Sequence, residues 1–214
     1  MSVKIHEAKA VFFDWDGTLV DSFSFLHGAH NHTRRTLGFE PFSLEVFGGD
    51  FGQPREKLDA ELYGEHKDAA KGIFIEYVYA NHMDGLKAVE AAENVLKWFK
   101  EAGVPCGVVT NKAGELVKKE ISNFGWDGYF DCVVGAADAV EDKPSAAPLL
   151  LAYERAGLAC DMGDVLFVGD TDSDLKCAER GGATSIFIED HKAFEGMKAS
   201  NKIDYHFESV SYTH

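Results

Sequence analysis

The residues that could carry out chemistry begin with two acids near the N-terminus. Asp14 and Asp16 stand two positions apart, directly after the apolar run Ala10 to Phe13. We predict that this short, β-rich run is a buried strand, and Gly17 would let the backbone turn sharply after it. Ligands gather at the carboxyl ends of strands in an open α/β sheet. The two acids therefore lie at a candidate ligand-binding edge, although solvated turns carry the same short pattern.

Three further polar groups lie later in the chain. Thr110 and Asn111 come directly after the run Val104 to Val109, where a hydroxyl and an amide could donate to a phosphoryl oxygen. A strand-end threonine on its own more often caps a helix. Lys143 precedes Pro144, which disfavours a helical conformation for the lysine. A lone lysine is normally an exposed surface charge.

Three acids at alternating positions follow another apolar run: Asp170, Asp172 and Asp174. Acids crowded at the end of a strand repel each other unless a cation binds. A calcium loop of the EF-hand type would need glycine at its sixth and glutamate at its twelfth position. Leu175 and Gly181 stand there, so that interpretation fails.

The elements that would position these groups alternate along the chain. The β-rich runs, each too short for a helix, are Ala10 to Phe13, Val104 to Val109, Cys132 to Val134, Val165 to Val168 and Thr184 to Ile188. Segments with helical spacing lie between them, and two of these end at Gly103 and Gly125. Strands that alternate with helices predict an α/β fold with a parallel sheet covered on both faces. Asp204 to Phe207 is a candidate edge strand.

The interval from Phe23 to about Gly85 interrupts this alternation. It is rich in His, Gly, Glu and Lys, and its helix-like apolar spacing predicts a helical insertion. Inside it, Phe39 to Gln53 contains several glycines and is predicted to be a loop between helices. The spacing of His27, His30 and His32 does not place all three on one helical face. A solvated helix is therefore favoured over a metal site.

Composition narrows the classes of function. A chain of 214 residues with 45% hydrophobic residues is long enough to bury one sizeable core. Its formal charge of -15 argues against a nucleic-acid partner, which would require a basic surface. The four scattered cysteines form no Cys-x-x-Cys pair and are read as reduced structural thiols. The sequence has no segment typical of a signal peptide or membrane span, so we expect a cytoplasmic protein with no membrane partner.

Joined in chain order, these motifs resemble those of the haloacid dehalogenase superfamily of phosphohydrolases. That superfamily carries Asp-x-Asp-Gly-Thr, then a strand-end Thr or Ser, then Lys, then Gly-Asp-x-x-x-Asp. The corresponding segments here are Asp14 to Thr18, Thr110, Lys143 and Gly169 to Asp174. Val108 to Lys112 and Lys143 to Ala152 look most like phosphoglycolate phosphatases. Those enzymes usually have His-Pro where this chain has Ser145-Ala146, which weakens the substrate prediction but not the chemistry.

The resemblance implies a fold, a cofactor and a class of substrate. The fold is a Rossmann-like parallel sheet core of residues 1–22 and 86–214, with an inserted helical cap of residues 23–85 that closes over the site. The cofactor is Mg²⁺. The expected substrate is a small phosphorylated metabolite, and the expected activity is that of a phosphoric monoester hydrolase.

The resemblance also implies roles for the acids. Asp14 would attack phosphorus and form an aspartyl phosphate, and Asp16 would act as general acid and then as general base. Asp14, the backbone carbonyl of Asp16 and Asp170 would hold Mg²⁺. Asp174 would orient a metal-bound water or Lys143. These four acids make up the predicted metal-binding group.

Three residues are expected to bind the phosphoryl oxygens: Thr110, Asn111 through its backbone, and Lys143. Arg55, in the cap, occupies the stretch that supplies a substrate-facing loop in relatives with this cap. It is expected to contact the non-reacting part of the substrate, although an exposed arginine at the start of a helix is equally consistent with the sequence.

Other functions share part of the pattern. A dehalogenase has the same fold but no acid at the position of Asp16, because a leaving halide needs no proton. A mutase of the β-phosphoglucomutase type shares Asp14 and Asp16 but carries histidine where Leu26 stands, with His27 one place away. A phospho-receiver module uses Asp, Mg²⁺, Thr and Lys in this order but lacks the second acid and the cap. Steady phosphate release would separate a phosphatase from the last two.

Overall fold

A six-stranded parallel sheet organises most of the chain. The computed structural model describes residues 5–50, 55–188, 198 and 200–207. The strands are β1 (Ala10–Phe13), β2 (Val20–Asp21), β3 (Lys87–Ala88), β4 (Cys106–Val109), β5 (Cys132–Val134), β6 (Val165–Gly169), β7 (Thr184–Ile188) and β8 (Tyr205–Phe207). The order across the large sheet is β5-β4-β1-β6-β7-β8, and β2 pairs separately with β3. All neighbours in the large sheet run parallel, so the predicted α/β, Rossmann-like fold is confirmed.

The central strands are buried at every position. This holds for β1, β4 and β6, whose sequences are nearly continuous apolar runs. Such runs are typical of parallel strands covered on both faces. Phe13 of β1 stands opposite Val108 of β4 and Val168 of β6. The residues that follow these three strands therefore emerge at one edge of the sheet.

Helices α1 to α8 are the α-helices whose bounds the structure describes. They are α1 (Phe23–Thr36), α2 (Leu44–Asp50), α3 (Arg55–Tyr63), α4 (Lys67–Asn81), α5 (Ala92–Glu101), α6 (Gly114–Phe124), α7 (Ala147–Arg155) and α8 (Asp172–Gly181). The helix before Gly103 buries Leu96 and Phe99, as its apolar spacing predicts. The helix α6 is followed by its C-cap Gly125, which takes up a left-handed conformation with φ of 70°. Glycine adopts that conformation without the steric cost that other residues incur.

The chain divides into two compact units. One comprises Met1–Val20 and Ala88–His214, and the other comprises Asp21–Lys87. Helices α1 to α4 belong to the smaller unit, in which α1 packs against α4. The assignment of residues 23–85 as a cap over the site stays a prediction.

The predicted loop from Phe39 to Gln53 contains a helix. The seven residues Leu44–Asp50 form α2, although two glycines lie in this segment. Phe47 of this helix is 1% exposed. The centroid of its ring lies 5.2 Å from that of Phe23 and 5.8 Å from that of Phe42. Burial of this aromatic side chain outweighs the poor helix propensity of glycine, which is about 1 kcal/mol per residue.

The histidines of α1 are not uniformly solvated, so that part of the prediction is wrong. His30 is 3% exposed, and its Nδ1 lies 2.8 Å from the hydroxyl of Tyr63. The ring of His30 also packs on Phe74, with 4.5 Å between centroids. His27 contacts the carbonyl oxygen of Phe42 at 2.8 Å. Both histidines therefore stabilise the smaller unit.

The four cysteines, all within the described residues, are free thiols. Burial raises the pKa of Cys106 and Cys177 to about 12 and that of Cys132 to about 11. Thiols with such pKa values remain protonated and poorly nucleophilic at neutral pH. In the described part of the chain, no helix combines the length and the apolarity needed to cross a bilayer.

Candidate active site

The first predicted acid, Asp14, directly follows β1 and lies at the edge of the sheet. The N–H of Asp14 donates to the carbonyl of Val168 at 2.8 Å, which extends the pairing of β1 with β6 by one residue. Asp14 is buried, with 6% of the residue exposed. Trp15 turns the other way, where its ring lies 6.1 Å from that of Trp126. Successive side chains of an extended chain point to opposite faces, which separates the reactive acid from the core ring.

Gly17 lets this turn approach β6. Its φ is +86°, and a Cβ built on it would lie 2.1 Å from Oδ2 of Asp170. A side chain is therefore excluded by sterics as well as by backbone conformation. The next residue, Thr18, donates its hydroxyl to Oδ1 of Asp170 at 2.9 Å. Gly17 therefore has two roles. It allows the predicted turn, and its missing side chain leaves room for the carboxylate of Asp170.

Lys143 lies between two carboxylates. Its Nζ is 2.7 Å from Oδ1 of Asp14 and 2.6 Å from Oδ1 of Asp174. It also lies 5.7 Å from the centroid of the Phe167 ring, and the residue is only 5% exposed. Burial disfavours the charged ammonium, but the two carboxylates outweigh burial and hold the pKa of Lys143 above its usual value. The lysine is therefore a buried cation and not a surface charge.

Asp174 is fixed through both of its carboxylate oxygens. While Oδ1 contacts Lys143, Oδ2 accepts hydrogen bonds from the N–H and hydroxyl of Thr171, at 3.0 and 2.6 Å. Thr171 is the N-cap of α8. Asp172, the first residue of α8, pairs with Lys176 at 2.6 Å. The predicted role of Asp174 in orienting Lys143 is compatible with these contacts.

Three buried carboxylates converge at this edge and could hold a metal ion. Oxygens of Asp14, Asp170 and Asp174 lie within 4.8 Å of one another, and all three residues are buried. Lys143 can neutralise only one of them. Burial, together with neighbouring acids, raises the pKa of Asp14 to about 7 and that of Asp170 well above its usual value. Burial strongly disfavours the charged forms of these carboxylates unless a cation lies beside them, and their oxygens are hard donors. Both properties fit a divalent cation such as Mg²⁺.

The polar residues after β4 take two different roles. Thr110 is 3% exposed, and its hydroxyl accepts from the N–H of Lys112 at 3.2 Å. The side chain of Asn111 makes two hydrogen bonds to the backbone of Lys143. Its Nδ2 donates to the carbonyl at 2.9 Å, and its Oδ1 accepts from the N–H at 3.0 Å. Asn111 therefore ties the lysine loop to the end of β4, a function that sequence reasoning missed.

Asp16 is the predicted site acid that stands apart from the carboxylate cluster. Its Oδ1 lies 3.1 Å from Nζ of Lys112, which also contacts Glu120 at 2.8 Å. Sequence reasoning missed both partners. A signal was available for Glu120, because it follows Leu116 and precedes Ile121 on the apolar face of α6. A glutamate at such a position is unusual unless it has a buried partner.

Arg55 is the first residue of α3, and its side chain lies outside the described residues. Its contact with the substrate stays a prediction. The other predicted site residues belong to the larger unit. Lys143 contacts both Asp14 and Asp174, and Asp170 completes the carboxylate cluster.

The chain is similar in sequence to known hydrolases. Residues 11–188 match the family described as haloacid dehalogenase-like hydrolase. The chain is 32% identical over 177 residues to a phosphoglycolate phosphatase from Aquifex aeolicus, with 81% of each chain covered. It is 27% identical over 179 residues to pyrophosphatase PpaX from Bacillus velezensis, covering 84% of this chain and 82% of the relative. These matches confirm the resemblance that the sequence motifs indicate.

One solved structure supports the fold. A haloacid dehalogenase-like family hydrolase from Streptococcus pneumoniae superposes with a TM-score of 0.82 over 94% of each chain, at 23% sequence identity. At this identity the likeness concerns the fold alone, and it agrees with the parallel sheet described above.

Proposed function

Because the chain belongs to the haloacid dehalogenase-like hydrolase family, we propose that it is an Mg²⁺-dependent phosphatase that hydrolyses a small phosphomonoester through phosphorylated Asp14. The main support is the buried group of Asp14, Lys143 and Asp170 at one edge of the sheet. It combines a carboxylate nucleophile, a cation for phosphoryl oxygens and oxygen donors for a metal ion.

The chain's own residues account for both steps of the reaction. In the first, an oxygen of Asp14 attacks phosphorus, and the bond from phosphorus to the leaving oxygen breaks as Asp16 gives that oxygen a proton. In the second, Asp16 takes a proton from water, the water oxygen attacks phosphorus, and phosphate leaves Asp14. Lys143 and Thr110 bind the equatorial phosphoryl oxygens, where negative charge must be stabilised.

Asp14, Asp170 and the backbone carbonyl of Asp16 would hold Mg²⁺, which when bound would supply positive charge against the phosphoryl oxygens. Asp174 already contacts Lys143 and Thr171. We therefore assign Asp174 mainly to orienting Lys143. Asn111 acts in the same direction, because its side chain fixes the backbone of Lys143.

Phosphoglycolate is the first candidate substrate. The proposal follows from the relative named a phosphoglycolate phosphatase and from the motif segments around Thr110 and Lys143. Pyrophosphate is the second candidate, because a relative of similar coverage is named a pyrophosphatase. Both are compact anions, so the local cations must overcome the repulsion of a chain with a formal charge of -15.

A panel of phosphate esters, together with the anhydride pyrophosphate, tests the proposal. Phosphate release is measured from phosphoglycolate, pyrophosphate, sugar phosphates and amino-sugar phosphates, with Mg²⁺, with Ca²⁺ and in chelator. We expect multiple turnovers with Mg²⁺ only, since the larger and looser shell of Ca²⁺ misplaces the nucleophile. Full activity in chelator would refute the metal role. Phosphoryl transfer between sugar hydroxyls without net release would indicate a mutase, and a stable phosphorylated protein without turnover would indicate a receiver module.

A further inference from the structure

A largely buried lysine, Lys112, and a fully buried glutamate, Glu120, lie next to Asp16. Lys112, three residues after the end of β4, contacts Oδ1 of Asp16 at 3.1 Å and Oε1 of Glu120 at 2.8 Å. Oε2 of Glu120 accepts a second hydrogen bond from Lys112 at 2.9 Å and one from Nε1 of Trp15. The four side chains form a continuous path from the apolar face of α6 to the acid that follows β1.

Burial along this path decreases toward the site. The side chain of Glu120 is 0% exposed, that of Lys112 is 10% exposed and that of Asp16 is 20% exposed. A fully buried carboxylate is strongly unfavourable unless a cation and hydrogen bonds compensate it. Lys112 and Trp15 provide both for Glu120. The ammonium group is thereby fixed from the protein interior, and its remaining contact reaches outward to Asp16.

Asp16 would be poorly oriented without this contact. It lies in the turn between β1 and β2, next to Gly17 with its φ of +86°, where its backbone forms an isolated bridge with Val20. Within the described residues, the contact of its carboxyl group with Lys112 is the one that fixes the side chain. Proton transfer requires an acid held within hydrogen-bond reach of the reacting oxygen. Misplacement of a reacting group by about 1 Å can cost about a hundredfold in rate.

We propose that Lys112 and Glu120 form a positioning pair that holds the carboxyl group of Asp16, through its Oδ1, while this group gives a proton to the leaving oxygen. This inference rests on the proposed function. Lys112 is the positioning residue in contact with the acid, and Glu120 acts through Lys112. Because Glu120 remains its partner, the ammonium group keeps its place while Asp16 contacts a leaving oxygen.

The dependence of kcat/KM on the leaving group distinguishes positioning of Asp16 from a purely structural role of the pair. Departure of an alkoxide from an alkyl phosphate requires a proton from Asp16, whereas p-nitrophenolate is stable enough to leave without one. The parameter kcat/KM reports only the steps up to phosphorylation of Asp14, so the later use of Asp16 as a base does not enter. A poorly held Asp16 should therefore lower kcat/KM selectively for alkyl esters.

The test compares Lys112→Met with the wild-type enzyme on an alkyl phosphate from the panel and on p-nitrophenyl phosphate. We expect kcat/KM for the alkyl ester to fall by about 100-fold, in line with the usual contribution of a general acid. The loss for the aryl ester should be at least about tenfold smaller. Lys112→Arg, which keeps the charge, should recover part of the alkyl activity. The matched control is Lys97→Met, which removes an exposed lysine paired with Glu93 and should change neither rate.

Two further variants separate positioning from folding. Lys112→Met leaves the carboxylate of Glu120 buried without its cation, which can prevent folding. The double variant Lys112→Met/Glu120→Gln removes that charge as well. It should show the same selective loss of kcat/KM for the alkyl ester. In an Asp16→Asn background, Lys112→Met should cost no further alkyl activity, because residues that act as a unit are not additive.

Several results would overturn the inference. Equal losses on both esters, no loss on either, or an undiminished loss in the Asp16→Asn background would show that the pair serves stability alone. If the wild-type enzyme releases phosphate from neither ester, the proposed function fails and this role fails with it. A wild-type enzyme that turns over both esters while the variants lose activity without selectivity refutes the positioning role only.

Discussion

At the scale of single residues, Asp14 is buried and is still within 2.7 Å of a lysine. Burial is the largest influence on its carboxyl group, and the charge of Lys143 opposes it only in part, so that the pKa rises to about 7. A carboxylate with few water molecules around it is a better nucleophile than a solvated one, because less hydration must be removed before attack. The same burial makes the side chain sensitive to small changes in charge.

We expect Asp14→Asn to abolish phosphate release while the protein remains folded. The amide nearly conserves the volume of the carboxylate but cannot act as the nucleophile. Activity should fall by more than about 10³-fold, which is typical for the loss of a covalent nucleophile, and thermal unfolding should remain cooperative. Phosphate release on the most active panel substrate provides the measurement.

The control for this variant is Asp127→Asn. Asp127 is exposed and accepts a hydrogen bond from the hydroxyl of Ser122, which an asparagine oxygen can also accept. Its substitution should leave kcat/KM unchanged. Retained activity in Asp14→Asn would remove the central claim that this residue carries the phosphoryl group.

At the scale of elements, the site depends on how closely the turn after β1 approaches the end of β6. Gly17 takes a left-handed conformation, and a side chain there would overlap the carboxylate of Asp170. A similar steric limit applies at the end of β6, where a Cβ on Gly169 would lie 2.3 Å from Cβ of Asp174. Two glycines therefore allow two acids to share one edge of the sheet.

We predict that Gly17→Ala destabilises the protein more than Gly157→Ala. Both glycines have positive φ, but a Cβ on Gly157 has no atom within 4 Å. Alanine should cost about 1–2 kcal/mol at Gly157 for the left-handed backbone, and overpacking should add about 1–3 kcal/mol at Gly17. Urea unfolding measures both costs. Gly17→Ala should also lower Mg²⁺-dependent activity, because it displaces Asp170, and equal costs at the two positions would contradict the steric argument.

At the scale of the whole molecule, the free energy of unfolding should depend on pH and on Mg²⁺ together. The pKa of Asp14 is raised from 3.8 to about 7 in the folded protein, so the folded state binds more protons than the unfolded state between these values. The resulting stability is fully present below the unfolded pKa and is lost as pH rises through the folded pKa. The pKa of Asp170 is also raised, and burial is the largest cause.

In chelator, raising the pH from about 6 to about 8 should lower the contribution of Asp14 to stability by about 1 kcal/mol. Mg²⁺ should stabilise the protein more at the higher pH, because metal ions compete with protons for these carboxylates. Thermal unfolding with and without Mg²⁺ measures both effects. Asp14→Asn, the matched control, should show a weaker dependence on pH and a smaller gain from Mg²⁺. A wild-type protein whose stability in chelator rises relative to the variant over this interval would contradict the direction of the shift.

Local sequence patterns are sufficient to predict the sheet and the chemical groups at its edge. Strands such as Ala10–Phe13 and Val165–Gly169 are short, apolar and flanked by polar residues, and that pattern depends only on near neighbours in the chain. The acids and Thr110 then follow strand ends, and parallel strands bring such ends to one edge. These features are encoded locally, so they can be read without coordinates.

The contacts among these groups, in contrast, depend on the tertiary structure. The hydrogen bonds of Asn111 to Lys143 join residues 32 positions apart, and the contact of Lys112 with Asp16 joins residues 96 positions apart. The helix at Leu44–Asp50 exists because Phe47 finds aromatic neighbours, against its glycine content. Packing and buried ion pairs depend on partners brought together by the complete fold, and no local pattern in the sequence specifies them.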